Sequence, residues 1–133
     1  MKTLIIAAAL WLGTAIGAVA QQDDIRQTIR NQLDAFKSDD LATAFTFASP
    51  TIQGIFRSPE MFGHMVQNGY PMVWRPGTVV FLGLAEREGT LFQTVVIEDR
   101  SGKAHTLEYK MIQIDGRWQI DGVRLLAIDG AIA

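Results

Sequence analysis

The alternation of apolar and polar positions divides the chain into a helical half and a strand-rich half. Ile25, Ile29, Leu33 and Phe36 recur at spacings of four, four and three, which sets one apolar stripe along a helix. Arg26, Gln27, Arg30, Asn31 and Asp34 supply its wet face. Asp24 stands where an N-cap would start this helix, with Gln27 three residues later in capping-box position. Ser38-Asp39-Asp40 caps a second, shorter helix with Leu41, Ala44, Phe45 and Ala48 inward. Pro50 is expected to stop it, because the residue before proline avoids helical geometry, and a loop through Ile52, Gly54 and Phe56 follows. Ser58-Pro59-Glu60 starts a third helix: a cap, a proline at the first helical position, and an acid near the positive end of the dipole. Met61, Phe62, Met65 and Val66 are expected to line it, and Asn68-Gly69 to end it.

After Gly69 the texture changes. Tyr70-Pro71-Met72-Val73-Trp74-Arg75-Pro76-Gly77 reads as a rigid aromatic connector. Four β-rich segments follow, at about 78–84, 90–98, 104–114 and 117–126, punctuated by Glu88-Gly89, Ser101-Gly102 and Asp115-Gly116. Asp115-Gly116 is a two-residue hairpin signal. If Ile114 pairs with Arg117, then Gln113 faces Trp118, Met111 faces Ile120 and Tyr109 faces Gly122. Trp118 and Ile120 are apolar at even positions, whereas Val123 and Leu125 are apolar at odd ones. A bulge produces such a change of phase, so one is expected at or beside Gly122. Three helices followed by a bent antiparallel meander predict an α+β fold with the helices on one face.

The first twenty residues read differently. Met1-Lys2-Thr3 is a short basic start, residues 4–15 are apolar, and Ala18-Val19-Ala20 precedes a jump in polarity at Gln21-Gln22-Asp23-Asp24. That order of parts predicts a secretory signal peptide over 1–20, cleaved after Ala20, and a single domain over 21–133 with no stable membrane insertion after cleavage. The apolar run is shorter than the roughly 20 residues that spanning requires. Hydrophobic residues make up 48% of the 133 and charged ones 20%, values of a globular chain. Cysteine is absent, which excludes a disulfide scaffold, a thiol nucleophile and Cys-based zinc sites. An exported chain without disulfides fits a bacterial periplasm. A net charge of −2 argues against a nucleic-acid surface, whose affinity rests on clustered Lys and Arg.

The order and spacing of these elements resemble the nuclear-transport-factor-2-like superfamily, a cystatin-like cone fold shared with ketosteroid isomerases and polyketide cyclases. Four stretches resemble, more narrowly, a family of exported bacterial domains of unknown function within it. They are Gln32-Leu33-Asp34-Ala35-Phe36, residues 42–50, Gly69-Tyr70-Pro71-Met72-Val73-Trp74-Arg75-Pro76, and Asp115-Gly116-Arg117-Trp118-Gln119-Ile120-Asp121-Gly122. The resemblance covers nearly all of 23–126. It implies three N-terminal helices packed on a curved four-stranded antiparallel sheet, and it implies no reaction, because sites are grafted onto folds.

Isomerase-type chemistry in such a cone needs a carboxylate base and an oxyanion hole. Tyr109 lies on the apolar face of its strand with His105, Leu107 and Met111. Asp121 has the opposite parity from Trp118 and Ile120 and is expected to face out, as are Glu108 and Lys110. Tyr109, His105 and Asp121 are therefore the catalytic candidates, and they do not make up a complete catalytic set. His64 and His105 are isolated, and no metal or cofactor is expected. Ser49 and Ser58 read as helix-boundary residues, outside any nucleophile elbow. Tyr70, Trp74 and Arg75 either form a rim that clamps a ligand or plug the cone, with Arg75 paired to Asp39 or Asp40.

Three functions follow as expectations. The first is non-enzymatic binding of a small apolar or amphipathic ligand, or of a partner protein, with Tyr70, Trp74, Arg75, Tyr109, Met111 and Trp118 as the ligand-binding set. The second is a small isomerase, cyclase or hydrolase. The third is a homodimer through the outer sheet face, suggested by apolar residues on both faces of strand 90–98: Phe92 and Val96 against Leu91, Val95 and Ile97.

Overall fold

A computed structural model describes the backbone of residues 2–126 and the side chains of 17–126. Met1 and the side chains of 2–16, where most of the expected signal segment falls, lie outside the described residues. The elements run α1 (Lys2–Lys37), α2 (Leu41–Thr46), α3 (Pro50–Phe56), α4 (Pro59–Gly69), α5 (Pro71–Trp74), β1 (Pro76–Arg87), β2 (Thr90–Asp99), β3 (Ala104–Ile114) and β4 (Arg117–Leu125). The four strands form one antiparallel sheet in the order β1-β2-β3-β4. The architecture is α+β, with five helices among the described residues where three were expected.

The two extra helices and one displaced start have local causes. Asp24 is not an N-cap, because α1 runs through it from an alanine-rich segment of high helix propensity. Its carbonyl instead accepts the Thr28 hydroxyl at 3.1 Å. Pro50 does not stop a helix; it opens α3. Ser49 caps that helix through its hydroxyl, which accepts from the Ile52 amide, and proline at the first position needs no donor. The expected loop through Ile52, Gly54 and Phe56 is thus helical. Within the connector, Pro71 starts the single turn of α5 in the same way. The Asp40 cap of α2 and the Ser58 cap of α4 stand as expected.

The stripe of α1 is the spine of the core: Ile25, Ile29, Leu33 and Phe36 are all buried. They face Val95 and Ile97 of β2, Leu107, Tyr109 and Met111 of β3, and Ile120 of β4. Phe62 and Val66 of α4 close the other side, but Met61, expected inward, is exposed. It lies one residue from the buried position 62 on a helix whose inner face holds Phe62, Gly63 and Val66.

The last hairpin has the expected register from Ile114↔Arg117 to Met111↔Ile120, with positive φ at Asp115 and Gly116. The pairing then shifts: Lys110 faces Gly122 and Tyr109 faces Val123. Asp121 is the extra residue of a bulge, which corrects the expected pairing of Tyr109 with Gly122 and restores the apolar phase of β4. A second shift in β1, between Phe81 and Leu84, lies beside Gln93. The fully buried Gln93 amide donates to the Leu82 and Thr94 carbonyls, both at 2.9 Å.

The free edge of β4 is covered. The Ser49 amide donates to the Ile120 carbonyl at 2.8 Å, and the Ile120 amide to the Phe47 carbonyl at 2.7 Å, a short parallel bridge between the α2–α3 junction and the strand.

Candidate functional site

The helices and β4 line an apolar cavity of about 230 Å³ that opens partly to solvent. Phe36 of α1, Phe56 of α3 and Phe62 of α4 supply aromatic wall, with Phe62 at the centre of a cluster. Its ring lies 5.8 Å from Phe36, 5.3 Å from Phe45 and 5.8 Å from Phe56. Val66, Val73, Ile120 and Val123 complete much of the lining. The polar side chains in it are Gln32 and Tyr70. Gln32 follows the α1 stripe, seven positions after Ile25, so it is buried with that stripe; its amide donates to the Ala44 carbonyl at 3.1 Å. The Tyr70 hydroxyl donates to the Val123 carbonyl at 3.0 Å.

Of the expected ligand-binding set, Tyr70 lines this cavity; Trp74, Arg75, Tyr109, Met111 and Trp118 do not. Arg75 is engaged in the structure. It pairs with Asp39, donates to the Phe36 carbonyl at 2.7 Å and the Trp74 carbonyl at 2.9 Å, and lies 4.5 Å above the Trp74 ring. Trp74 in turn packs 5.7 Å from Phe36, so the connector is locked onto the end of α1. Met111 is core, and Trp118 is half-buried, its carbonyl 3.3 Å from the Thr28 hydroxyl, whose one proton it shares with the Asp24 carbonyl.

The catalytic candidates occupy three separate surroundings. Tyr109 is fully buried, and its hydroxyl has no hydrogen-bond partner among the described residues. Burial, and secondarily the neighbouring Tyr70, hold its phenol well above the ordinary value, so it stays protonated. His105 lies at the other end of β3, with Nε2 2.8 Å from Asp99 Oδ2. Asp99 also accepts from the Ser101 hydroxyl at 2.6 Å; that bond and the one to His105 hold its carboxyl far below the usual carboxylate range. Asp121, expected to face out, is mostly covered. The bulge sets it beside Ser49, whose hydroxyl donates to Oδ1 at 2.6 Å, and Lys110 Nζ lies 3.5 Å from Oδ2. The parity kept it near Lys110 of the outer face, but the chain along the β4 edge closes over it.

The outer sheet face carries a charge cluster that parity alone did not signal. Glu108 is buried there because two arginines lie over it: Arg87 donates to both carboxylate oxygens at 2.7 and 2.9 Å, and Arg124 to one at 2.9 Å. These bonds, Arg87 foremost, hold the Glu108 carboxyl below its ordinary value against the opposing effect of burial. Arg87 also lies 3.8 Å above the Phe92 ring. No cluster of three or more metal-ligating side chains occurs among the described residues, and no helix of the described residues is long and apolar enough to cross a membrane.

Ser49 is the helix-boundary residue it was expected to be, whereas Gln32 and Gln93 were not singled out. Both had a signal: Gln32 sits on an otherwise apolar helical stripe, and Gln93 shares the parity of Leu91, Val95 and Ile97. A polar residue at such a position must find a partner inside. A search of curated proteins returns no match to this chain. The family model for the domain of unknown function DUF4864 matches residues 18–133, and the chain belongs to that family.

Proposed function

We propose that this is an exported cone-shaped domain of the nuclear-transport-factor-2-like type, working in a bacterial periplasm after cleavage behind Ala20. Its domain spans 21–133, and its role is to bind a small apolar or amphipathic molecule. The observation that carries the reading is the cavity of about 230 Å³ with aromatic and aliphatic walls and two polar side chains. The helix-over-bulged-sheet arrangement and the basic-then-apolar start of the chain support the fold and export parts. None of the catalytic candidates Tyr109, His105 and Asp121 lines this cavity. A second reading, two copies joined through the outer face, draws on the exposure of Val80 and Ile112 there.

The test is a methyl NMR titration with toluene. Shifts confined to Ile52, Val66, Val73, Ile120 and Val123, and lost in Val123→Phe, are the expected result, because the added ring fills the space. Shifts centred on Val80 and Ile112, or none, overturn the cavity reading.

A further inference from the structure

The polarity of the cavity narrows the class of ligand, an inference that rests on the cavity being the binding site. Gln32 is only 3% exposed, and its Nε2 lies 3.1 Å from the Ala44 carbonyl oxygen. A carbonyl oxygen can only accept, so the amide must turn its nitrogen there and its Oε1 elsewhere. Oε1 makes no hydrogen bond to the described residues, yet it is not sealed from solvent: the buried side-chain atoms without a partner among those residues are Arg26 Nε, Gln93 Oε1 and the Tyr109 hydroxyl. Tyr70 has spent its single hydroxyl proton on the Val123 carbonyl, which leaves its oxygen as an acceptor. No charged side chain lines the cavity among the described residues. The walls therefore present acceptor oxygens and no cation.

We infer that the cavity takes a small uncharged aliphatic alcohol, its O–H donated to Gln32 Oε1 and its chain laid against Phe36, Phe62 and Val66. A hydroxyl replaces the O–H that water offers this accessible oxygen, so the alcohol displaces that water without losing its hydrogen bond. A carboxylate of the same length brings further acceptor oxygens and a full charge, and loses its hydration with nothing of opposite sign to replace it. The one remaining Gln32 N–H is a small offset to that loss. An ether of the same size fills the space but leaves Oε1 unpaired. Size follows from volume: a cavity of about 150 Å³ holds benzene, so about 230 Å³ suits roughly nine non-hydrogen atoms. 1-Octanol is of that size.

Calorimetric titration of the purified chain with 1-octanol, heptyl methyl ether and octanoate at neutral pH tests this. The expected result is that 1-octanol binds about tenfold tighter than either competitor. Gln32→Leu removes the difference between alcohol and ether. Octanoate or the ether binding as tightly as the alcohol overturns the inference and leaves the cavity reading standing, whereas no binding by any of the three overturns both. The wild-type ratios decide the matter even where Gln32→Leu does not fold.

Discussion

The Tyr109 hydroxyl is buried in the core with no partner among the described residues, so the fold carries the desolvation of a phenol with no bond in return. Tyr109→Phe keeps the ring that packs beside Val123 and Gln93 and removes that cost. We expect it to raise stability by about 1 kcal/mol, measured by urea denaturation. A loss of stability would reveal a bond that the phenol makes. The carboxylates behave in the opposite sense. Glu108 between Arg87 and Arg124, and Asp99 beside Ser101 and His105, are held below the ordinary carboxylate range when folded. Protonation therefore favours the unfolded chain, and their contribution is present above about pH 4 and lost as pH falls below it. Melting temperatures should be level from pH 7 to about pH 5 and drop below about pH 4. Glu108→Gln should lower stability at pH 7 by about 1–2 kcal/mol, less than a fully buried pair because both arginines are partly in water, and should flatten the acid drop. An acid profile unchanged by Glu108→Gln would contradict that assignment.

At the scale of elements, the connector is a strap on the end of α1. Arg75 adds a second donor to the Phe36 carbonyl in the last turn, which also accepts the Asp39 amide at 3.0 Å, and its charge suits that end of the dipole. Arg75→Ala should cost about 1–3 kcal/mol in urea denaturation and leave cavity binding within about twofold. A binding loss without a stability loss would instead make Arg75 a ligand contact. The elements were legible where one periodicity or one cap decides them: the α1 stripe, the Asp40 and Ser58 caps, and the Asp115-Gly116 hairpin with its bulge. They were misread where a residue serves either end of a helix. Pro50 can end one helix or open the next, and the Ser49 hydroxyl, bonded to Ile52 and Asp121 from opposite ends of the sequence, decides for opening. The cavity was legible only as an apolar excess. Its walls come from α1, α3, α4, α5 and β4, and no local pattern shows which side chains of segments so far apart in the chain leave space between them.

At the scale of the molecule, one helix spine, a cluster of phenylalanines and a bulged sheet leave an apolar space in a chain of the DUF4864 family. On the proposed reading this space holds a small molecule in an exported protein. Native mass spectrometry of the chain purified from a bacterial periplasm tests it most directly, followed by the denatured mass of the same sample. The expected result is a denatured mass for residues 21–133 and a native mass heavier by about 100–200 Da, the weight that the cavity volume suits. Bare protein that takes up no added 1-octanol would contradict it, and a denatured mass for all 133 residues would contradict the export reading.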